Sequence, residues 1–458
     1  MITRIQVMNY KSLRCIDIPM SRFHVLVGPN ASGKSAFLDV LSFLHDFISE
    51  DLDFAVEKRT ENFYDLVWGQ SDKSGHFEMA IEAEIPTNII NLTKFNNYVI
   101  RYELSIGMKC VEDESEIFEE KLFFRNKKTN KNKDNIHTII TKNHEISEPY
   151  LIKINKDSTN NNFTNVVYHE KFANYVLKQE NISYTDKGII GSVGPRSSNE
   201  ARGPSGSYMT PSKSKISGLN VLSDDKLMPY FFWFKSILLN EIQLYYHENS
   251  KLKSNSKPGA SNDLEKDGSN LSKVIRKFEA SNPDIFNQWI CHLKTALPDL
   301  ESMHTYHNSK DGSLVLKIKY SNNIKLPARS ISDGTLRLLA LTLPAYLPDN
   351  QGVYMFEEPE NGIHPQAIET VIDSLKSFYK GQVFITTHSP LILSLVKPEE
   401  ILCFWNDSEK GTRITTGDKH PVFQEWEKNK DTSLGVLFAS GILDSDWGDD
   451  ERSSSAGL

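Results

Sequence analysis

Glu357 and Glu358 close the apolar run Val353-Tyr354-Met355-Phe356 and are followed by Pro359-Glu360-Asn361-Gly362-Ile363-His364-Pro365. An apolar strand that ends in two adjacent carboxylates can set one on a metal ion and the other beside a water that attacks a phosphate. Far upstream, Gly28-Pro29-Asn30-Ala31-Ser32-Gly33-Lys34-Ser35 fits the phosphate-loop pattern G-x-x-x-x-G-K-[ST]. In such a loop, successive backbone N–H groups and the N-terminus of the next helix make a concave anion site. Lys34 would reach the β and γ phosphates, and the Ser35 hydroxyl would bind Mg2+. A Glu-Glu pair alone reads as a solvated strand end. Paired with a phosphate loop, it reads as the second half of a site for nucleotide phosphates.

Two further stretches carry chemistry. In Ser330-Ile331-Ser332-Asp333-Gly334-Thr335-Leu336-Arg337, a Ser-x-Gly turn opens a helix and presents a hydroxyl, free N–H groups and a helix dipole to an anion. Alone it would be an ordinary helix cap. In Phe384-Ile385-Thr386-Thr387-His388-Ser389-Pro390, His388 follows an apolar strand, where a lone histidine is usually structural. Its place one helix after the carboxylate strand shifts that weighting.

The elements around these residues read as α/β. Thr3 to Val7 and Phe23 to Val27 are strand-like, and Lys34 to Ile48 has helical spacing, giving strand, phosphate loop, helix. His76 to Ile85, Tyr98 to Ile106 and Glu116 to Phe124 alternate as an antiparallel meander with one face suited to burial. Three stretches, Arg125 to Asn135, Gly194 to Gly218 and Lys251 to Ser269, are polar enough to be solvated loops. Between them Leu227 to Tyr246 is long and periodic enough for a buried helix. Strands at Leu314 to Tyr320, Gly352 to Phe356 and Gln382 to Thr387 alternate with helices at Gly334 to Tyr346 and Pro365 to Tyr379, which implies a mainly parallel sheet. The expected division is an N-terminal lobe over 1–125, a largely helical insertion over 126–300, a C-terminal lobe over 301–410 and a tail over 411–458.

Composition narrows the class. The 458 residues are 39% hydrophobic, enough for a substantial core, and no apolar run approaches the roughly 20 residues that span a bilayer. The start, Met1-Ile2-Thr3-Arg4-Ile5, lacks a secretory layout, so the chain is expected in the cytoplasm without a membrane partner. Cys15, Cys110, Cys291 and Cys403 are far apart and form no C-x-x-C pair, so they are expected as reduced thiols. A net charge of −8 argues against a nucleic-acid coat, although Lys121, Arg125, Lys127, Lys128, Lys131 and Lys133 form a basic strip. Nucleic acid therefore stays open as a partner.

Taken in order, these motifs resemble an ABC-type ATPase of the SMC-like and OLD-like branch, AAA-family ATPases of prokaryotic defence systems. Asn9-Tyr10-Lys11-Ser12 resembles that family's N-terminal strand-turn and Gly28 to Ser35 its Walker A loop. Ser332 to Arg337 resembles the signature, Phe356 to Asn361 Walker B running into the D-loop, and Thr386 to Pro390 the switch-histidine loop. The resemblance implies an ABC-ATPase head that binds ATP with Mg2+. Gly28, Pro29, Asn30, Ala31, Ser32, Gly33, Lys34, Ser35 and Ala36 would hold the nucleotide, with Asn30 on the γ-phosphate. Glu357 would hold Mg2+ through water, Glu358 would polarise the attacking water, and His388 would sense the γ-phosphate. Ser332, Asp333 and Gly334 would complete the site of a second copy, so that ATP closes a dimer. Gln70, in Val67-Trp68-Gly69-Gln70, is the candidate Q-loop residue and metal ligand. The sequence departs from the commonest pattern by having Glu357 where Asp is usual, a reach longer by one methylene. After His388 about 70 residues of the 458 remain, too few for a TOPRIM nuclease domain, so the expected output is control of a separately encoded effector in defence. A DNA repair or recombination ATPase that clamps a duplex is the alternative; a transporter subunit would want Leu-Ser-Gly-Gly-Gln, which is absent.

Overall fold

A computed structural model describes residues 1–70, 75–86, 98–109, 114–126, 150–156, 163–167, 184–185, 188–189, 201–202, 208–211, 215, 217, 219, 229–245, 249–348, 352–429 and 433–439. The chain divides into two units. The first comprises Met1–Ser21, Asn30–Ile242 and Trp405–Ile414; the second comprises Arg22–Pro29, Gln243–Phe404 and Thr415–Leu458.

In the first unit, β1 (Ile2–Tyr10) and β2 (Leu13–Pro19) form an antiparallel hairpin. After β3 (Phe23–Val27), which belongs to the second unit, the chain enters α1 (Lys34–Ser49) and then α2 (Leu52–Glu57). α1 buries Phe37, Leu38, Leu41, Leu44 and Ile48, the three-and-four spacing of an amphipathic helix. β4 (His76–Glu84), β5 (Tyr98–Lys109) and β6 (Glu114–Asn126) form the expected meander, with β4 also paired to β1. The chain continues through β7 (Tyr150–Lys156), β8 (Phe163–Val167), the isolated pair β9 (Tyr184–Thr185) and β10 (Gly188–Ile189), then β11 (Ala201–Arg202) and β12 (Tyr208–Pro211). The resulting sheet has nine strands in the order β11-β12-β8-β7-β6-β5-β4-β1-β2.

One face of the meander meets α1. The Phe77 ring lies 5.5 Å from Phe43 and 5.0 Å from Tyr10. The opposite face carries charge and is nonetheless buried, so the meander is not the one-sided sheet that its alternation suggests. Arg101 bridges Glu82 at 2.7 Å and Glu103 at 2.6 Å, and Arg125 pairs with the same Glu82. Pairing offsets part of the cost of taking these charges out of water and avoids the larger cost of leaving one unpaired. Lys121, 1% exposed, is paired with Glu119 at 2.6 Å and so forms no part of an open basic strip. Lys127, Lys128, Lys131 and Lys133 lie outside the described residues.

The region expected as a largely helical insertion is mixed. Its described residues over 150–211 are strands, of which β7, β8, β11 and β12 extend the sheet, and helix begins at α3 (Pro229–Ser236). A buried helix through Tyr246 is not what forms. α3 gives way to a π-helical turn, Ile237–Glu241, and then to strand β13 (Ile242–Tyr245). Tyr245 stacks on Tyr354 and Phe356 at 5.9 and 5.3 Å, and this tertiary packing outweighs local helical periodicity. Much of Lys251 to Ser269 is exposed, as expected of a solvated stretch, but it is also anchored to the fold. Asn270, fully buried, accepts from the Glu265 N–H and donates to the carbonyls of Ser261 and Asp263, adding a polar anchor to the buried Leu252 and Leu264.

In the second unit, α4 (Asn249–Leu252), α5 (Leu271–Ser281) and α6 (Pro283–Ala296) precede a three-stranded antiparallel sheet of β14 (Leu300–His307), β15 (Leu314–Tyr320) and β16 (Lys325–Pro327). Then come α7 (Asp333–Tyr346), β17 (Gly352–Glu357), α8 (Pro365–Lys376), β18 (Gly381–Thr386), α9 (Pro390–Ser394) and β19 (Ile401–Asp407). The strands β17-β18-β3-β19 are parallel, with β13 beside β17. Both faces of this sheet are covered, which is why β17 and β18 read as unbroken apolar runs instead of alternating. Helix packing centres on Trp289, fully buried, whose indole N–H donates to Thr342 Oγ1 at 2.9 Å. Truncating such a side chain costs about 3–5 kcal/mol.

After β19 the Asp407 carboxylate accepts the N–H groups of Glu409 and Lys410, turning the chain into β20 (Gly411–Thr416), with α10 (Pro421–Asn429) and α11 (Leu434–Ala439) beyond. α11 packs on α9: a Cβ at Gly435 would sit 2.2 Å from the Pro390 carbonyl oxygen. The apolar C-terminal stretch therefore begins as part of the folded unit, while Ser440 to Leu443 and the acidic run at Asp444 to Glu451 lie outside the described residues. No described helix is long and apolar enough to cross a membrane.

Candidate nucleotide site

β3 delivers the chain to the phosphate loop, and the loop's backbone is bent throughout. Gly28 (φ 147°), Ala31 (φ 61°) and Gly33 (φ 99°) all have positive φ, which favours glycine at two of them and leaves Ala31 strained. Gly33 is required for a second reason. A Cβ there would fall 2.2 Å from Thr412 Oγ1 and 2.9 Å from Ser12 Oγ, the two hydroxyls being bonded to each other at 2.9 Å. Being glycine, Gly33 supplies no side-chain cap to α1, and no acidic residue stands in the first turn. That end of the helix is therefore suited to an anion. Asn30, Ala31 and Ser35 are exposed, Ser32 and Lys34 are buried, and Gly33 and Ala36 are intermediate.

α1 is held from its flank by a charged network. Asp39 receives Tyr10 Oη at 2.6 Å, Lys11 Nζ at 2.5 Å and Arg59, whose other nitrogen reaches Asp46 at 2.9 Å. Burial works to raise the pKa of both carboxyls. The hydrogen bonds and charges of Arg59 and Lys11 outweigh it at Asp39, and those of His45, Lys58 and Arg59 outweigh it at Asp46, so both are held below the ordinary carboxylate range. Nothing in the sequence singles out this network, because its members are far apart along the chain.

The carboxylates sit at one end of the parallel sheet of the second unit. In register, Glu357 of β17 stands opposite Thr386 of β18, and Thr386 stands opposite Leu26 of β3. Glu357, the Thr386-Thr387-His388 turn and the Gly28 opening of the phosphate loop thus emerge side by side, because parallel strands of equal register end together. The Glu358 N–H donates to Thr386 O at 2.9 Å, and the Thr387 N–H donates to Leu26 O at 3.2 Å. Glu358 itself adopts φ 43°, a left-handed backbone that a non-glycine residue holds only when its surroundings enforce it. Its Oε2 accepts from Asn361 Nδ2 at 2.5 Å, and its Oε1 lies 3.8 Å from His388 Nε2.

Glu357 is exposed at the strand tip, and burial of its base together with the charge of Glu358 pushes its carboxyl pKa up. A carboxylate raised by a like-charged neighbour gains from an arriving cation. The donor set fits Mg2+ in particular, since Mg2+ is usually bound by one or two carboxylates with phosphate oxygens and retained water. No group of three or more His, Cys, Asp or Glu poised to hold a metal occurs among the described residues.

Ser332 caps α7, accepting from the Thr335 N–H at 3.2 Å, and it is exposed. Asp333 is paired with Lys253 at 2.5 Å and accepts from Asn249 at 3.2 Å. Gly334 must be glycine, because a Cβ would lie 2.7 Å from the Gly362 carbonyl oxygen of the turn after β17. Gln70 ends a short 3-10 turn, Trp68–Gln70, of the first unit.

A strand that opens into a glycine-rich loop, with paired carboxylates and a histidine turn at the ends of the neighbouring parallel strands, is the arrangement of an ATPase-type fold. The chain belongs to the family described as "AAA domain, putative AbiEii toxin, Type IV TA system", whose sequence pattern matches residues 23–394. No curated protein matches the chain. Among solved structures, the chain is similar to an SMC head bound to the C-winged helix domain of ScpA, at 12% identity and a TM-score of 0.49 over 92% of this chain and 99% of that one. It is also similar to an SMC head domain with an extended coiled coil from Pyrococcus furiosus (13%, TM-score 0.45, 94% and 99%) and to the SMC head domain from Thermotoga maritima (10%, TM-score 0.40, 91% and 98%).

Proposed function

We propose that this chain binds ATP with Mg2+, hydrolyses it, and dimerises around it to control a separate effector, in defence against phage. The observation that carries the ATPase reading is the alignment of Glu357, Thr386 and Leu26 at the tips of adjacent parallel strands, one of which runs directly into the phosphate loop. Lys34 and the loop amides from Gly28 to Ala36 bind the phosphates, and Asn30 contacts the γ-phosphate. Ser35 and Glu357 would hold Mg2+, which when bound neutralises phosphate charge. Glu358, steadied by Asn361, orients and deprotonates the attacking water, and His388 senses the γ-phosphate. Ser332, Asp333 and Gly334 complete the site of a second copy; Ser332's exposure at a helix N-terminus supports this.

Family membership supports the nucleotide chemistry, and the family's description favours the defence setting over a DNA-clamping role. The pairing of Lys121 and Arg125 with carboxylates removes two cations from the basic strip that a DNA clamp would use. Calorimetry and turnover on two variants test the ATPase reading. Lys34→Ala is expected to lose ATP binding, whereas Glu358→Gln keeps it and loses turnover by about 10²-fold or more. Unchanged ATP affinity in Lys34→Ala overturns the assignment.

A further inference from the structure

We propose that Glu360 is a positioning residue that locks the turn after β17 to the histidine turn after β18; the role rests on the ATPase reading above. Glu360 Oε1 accepts two hydrogen bonds, from Thr387 Oγ1 at 2.5 Å and from the His388 N–H at 3.2 Å. Thr387 is fully buried, and its hydroxyl oxygen also accepts from the Ser389 N–H at 2.9 Å. The backbone on either side of His388 is thereby held through one hydroxyl and one carboxylate oxygen.

The other end of the link carries Glu358. The Asn361 N–H donates to Glu358 O at 3.0 Å and the Asn361 amide to Glu358 Oε2, while the Glu358 N–H returns to Thr386 O. Glu358 and His388 are therefore two stations on one closed circuit in which the Glu360 carboxylate accepts side-chain and backbone hydrogen bonds from the histidine turn, beside the longer 3.8 Å approach of Glu358 to His388. Glu360 Oε2 is buried without a hydrogen-bond partner among those residues. A buried acceptor left unbonded costs stability, so packing alone would favour another residue here. Displacement of His388 must act on Glu360, and through it on the turn that orients Glu358.

The test uses the full-length protein, with turnover, ATP affinity and melting temperature measured together. Glu360→Ala and Thr387→Val are expected to lower kcat on the order of 10- to 10²-fold with KM for ATP within about threefold, since a misplaced reacting group loses rate and not binding. Thr387→Ser, which keeps the hydroxyl, should stay within about threefold of the unaltered protein. The double variant should be no slower than the slower single one, because both break the same link. Full turnover in both single variants, or fully additive losses, overturns the proposal. If Glu360→Ala does not fold, the contrast between Thr387→Val and Thr387→Ser decides. A normal Lys34→Ala defect alongside an active Glu360→Ala refutes only this link, whereas intact ATP binding in Lys34→Ala refutes the reading beneath it.

Discussion

Glu357 and Glu358 are neighbours in sequence with different surroundings. Glu358 is held by Asn361 on a left-handed backbone, while Glu357 points out at the strand tip with its pKa raised by burial and then by its neighbour's charge. A raised folded-state carboxyl pKa favours the protonated form. Any stabilisation from Glu357 is therefore present below the ordinary carboxylate pKa and lost as pH rises through the raised value, so at neutral pH its ionised form is a net cost. Glu357→Gln should raise the melting temperature of the nucleotide-free protein by about 1 °C at pH 7.5, with no gain at pH 4. A fall at pH 7.5 would mean that the two carboxylates do not repel. Lys34, Ser35, Glu357 and Glu358 were legible in the sequence because each stands at a fixed offset from a strand or glycine pattern. Thr412 was not, since its seat against Gly33 depends on a strand that returns from the far end of the chain.

At the scale of the element, α1 follows the glycine-rich loop proposed to bind phosphate, and its flank is clamped by Arg59 between Asp39 and Asp46. Arg59 is 7% exposed and Asp46 4% at the side chain, so removing the guanidinium leaves a nearly buried carboxylate with only Lys58 and His45 beside it. Arg59→Ala should destabilise by about 3 kcal/mol at pH 7. Because both carboxyls lie below their ordinary pKa when folded, the stabilisation is present above the ordinary carboxylate pKa and is lost as pH falls through the lowered values. The deficit of Arg59→Ala in thermal melting should accordingly shrink at acid pH; a pH-independent deficit would assign the loss to packing against Phe43, 5.1 Å from the guanidinium. Periodicity predicted α1, α7 and the strands β17 and β18 to within a few residues. It misjudged β13, because a short apolar segment has no period long enough to separate helix from buried strand.

At the scale of the whole molecule, the proposed output is a two-fold dimer in which the turn at Ser332 meets ATP bound by the other copy. Ser332→Arg places a bulky cation on that exposed turn. It should leave ATP binding by the monomer intact and abolish ATP-driven dimerisation in a Glu358→Gln background, as read by light scattering. Dimers formed normally would exclude the turn from the interface. Asp333, paired with Lys253 and Asn249 next to α4, adds a contact between this turn and the segment that precedes α5.

The sequence by itself determined the glycine-rich loop after β3, the carboxylates that end β17, the histidine turn after β18, and the alternation of strand and helix that makes the second unit's sheet parallel. These are local patterns, set by backbone conformation and by periodicity within a few turns of chain. Only the tertiary structure decided that Glu360 bridges two turns, that Arg101 and Lys121 are buried in ion pairs, and that Tyr245 stacks on Tyr354 and Phe356 in a strand. Each of those depends on burial in the folded chain or on a partner distant in sequence, which override what neighbouring residues prefer.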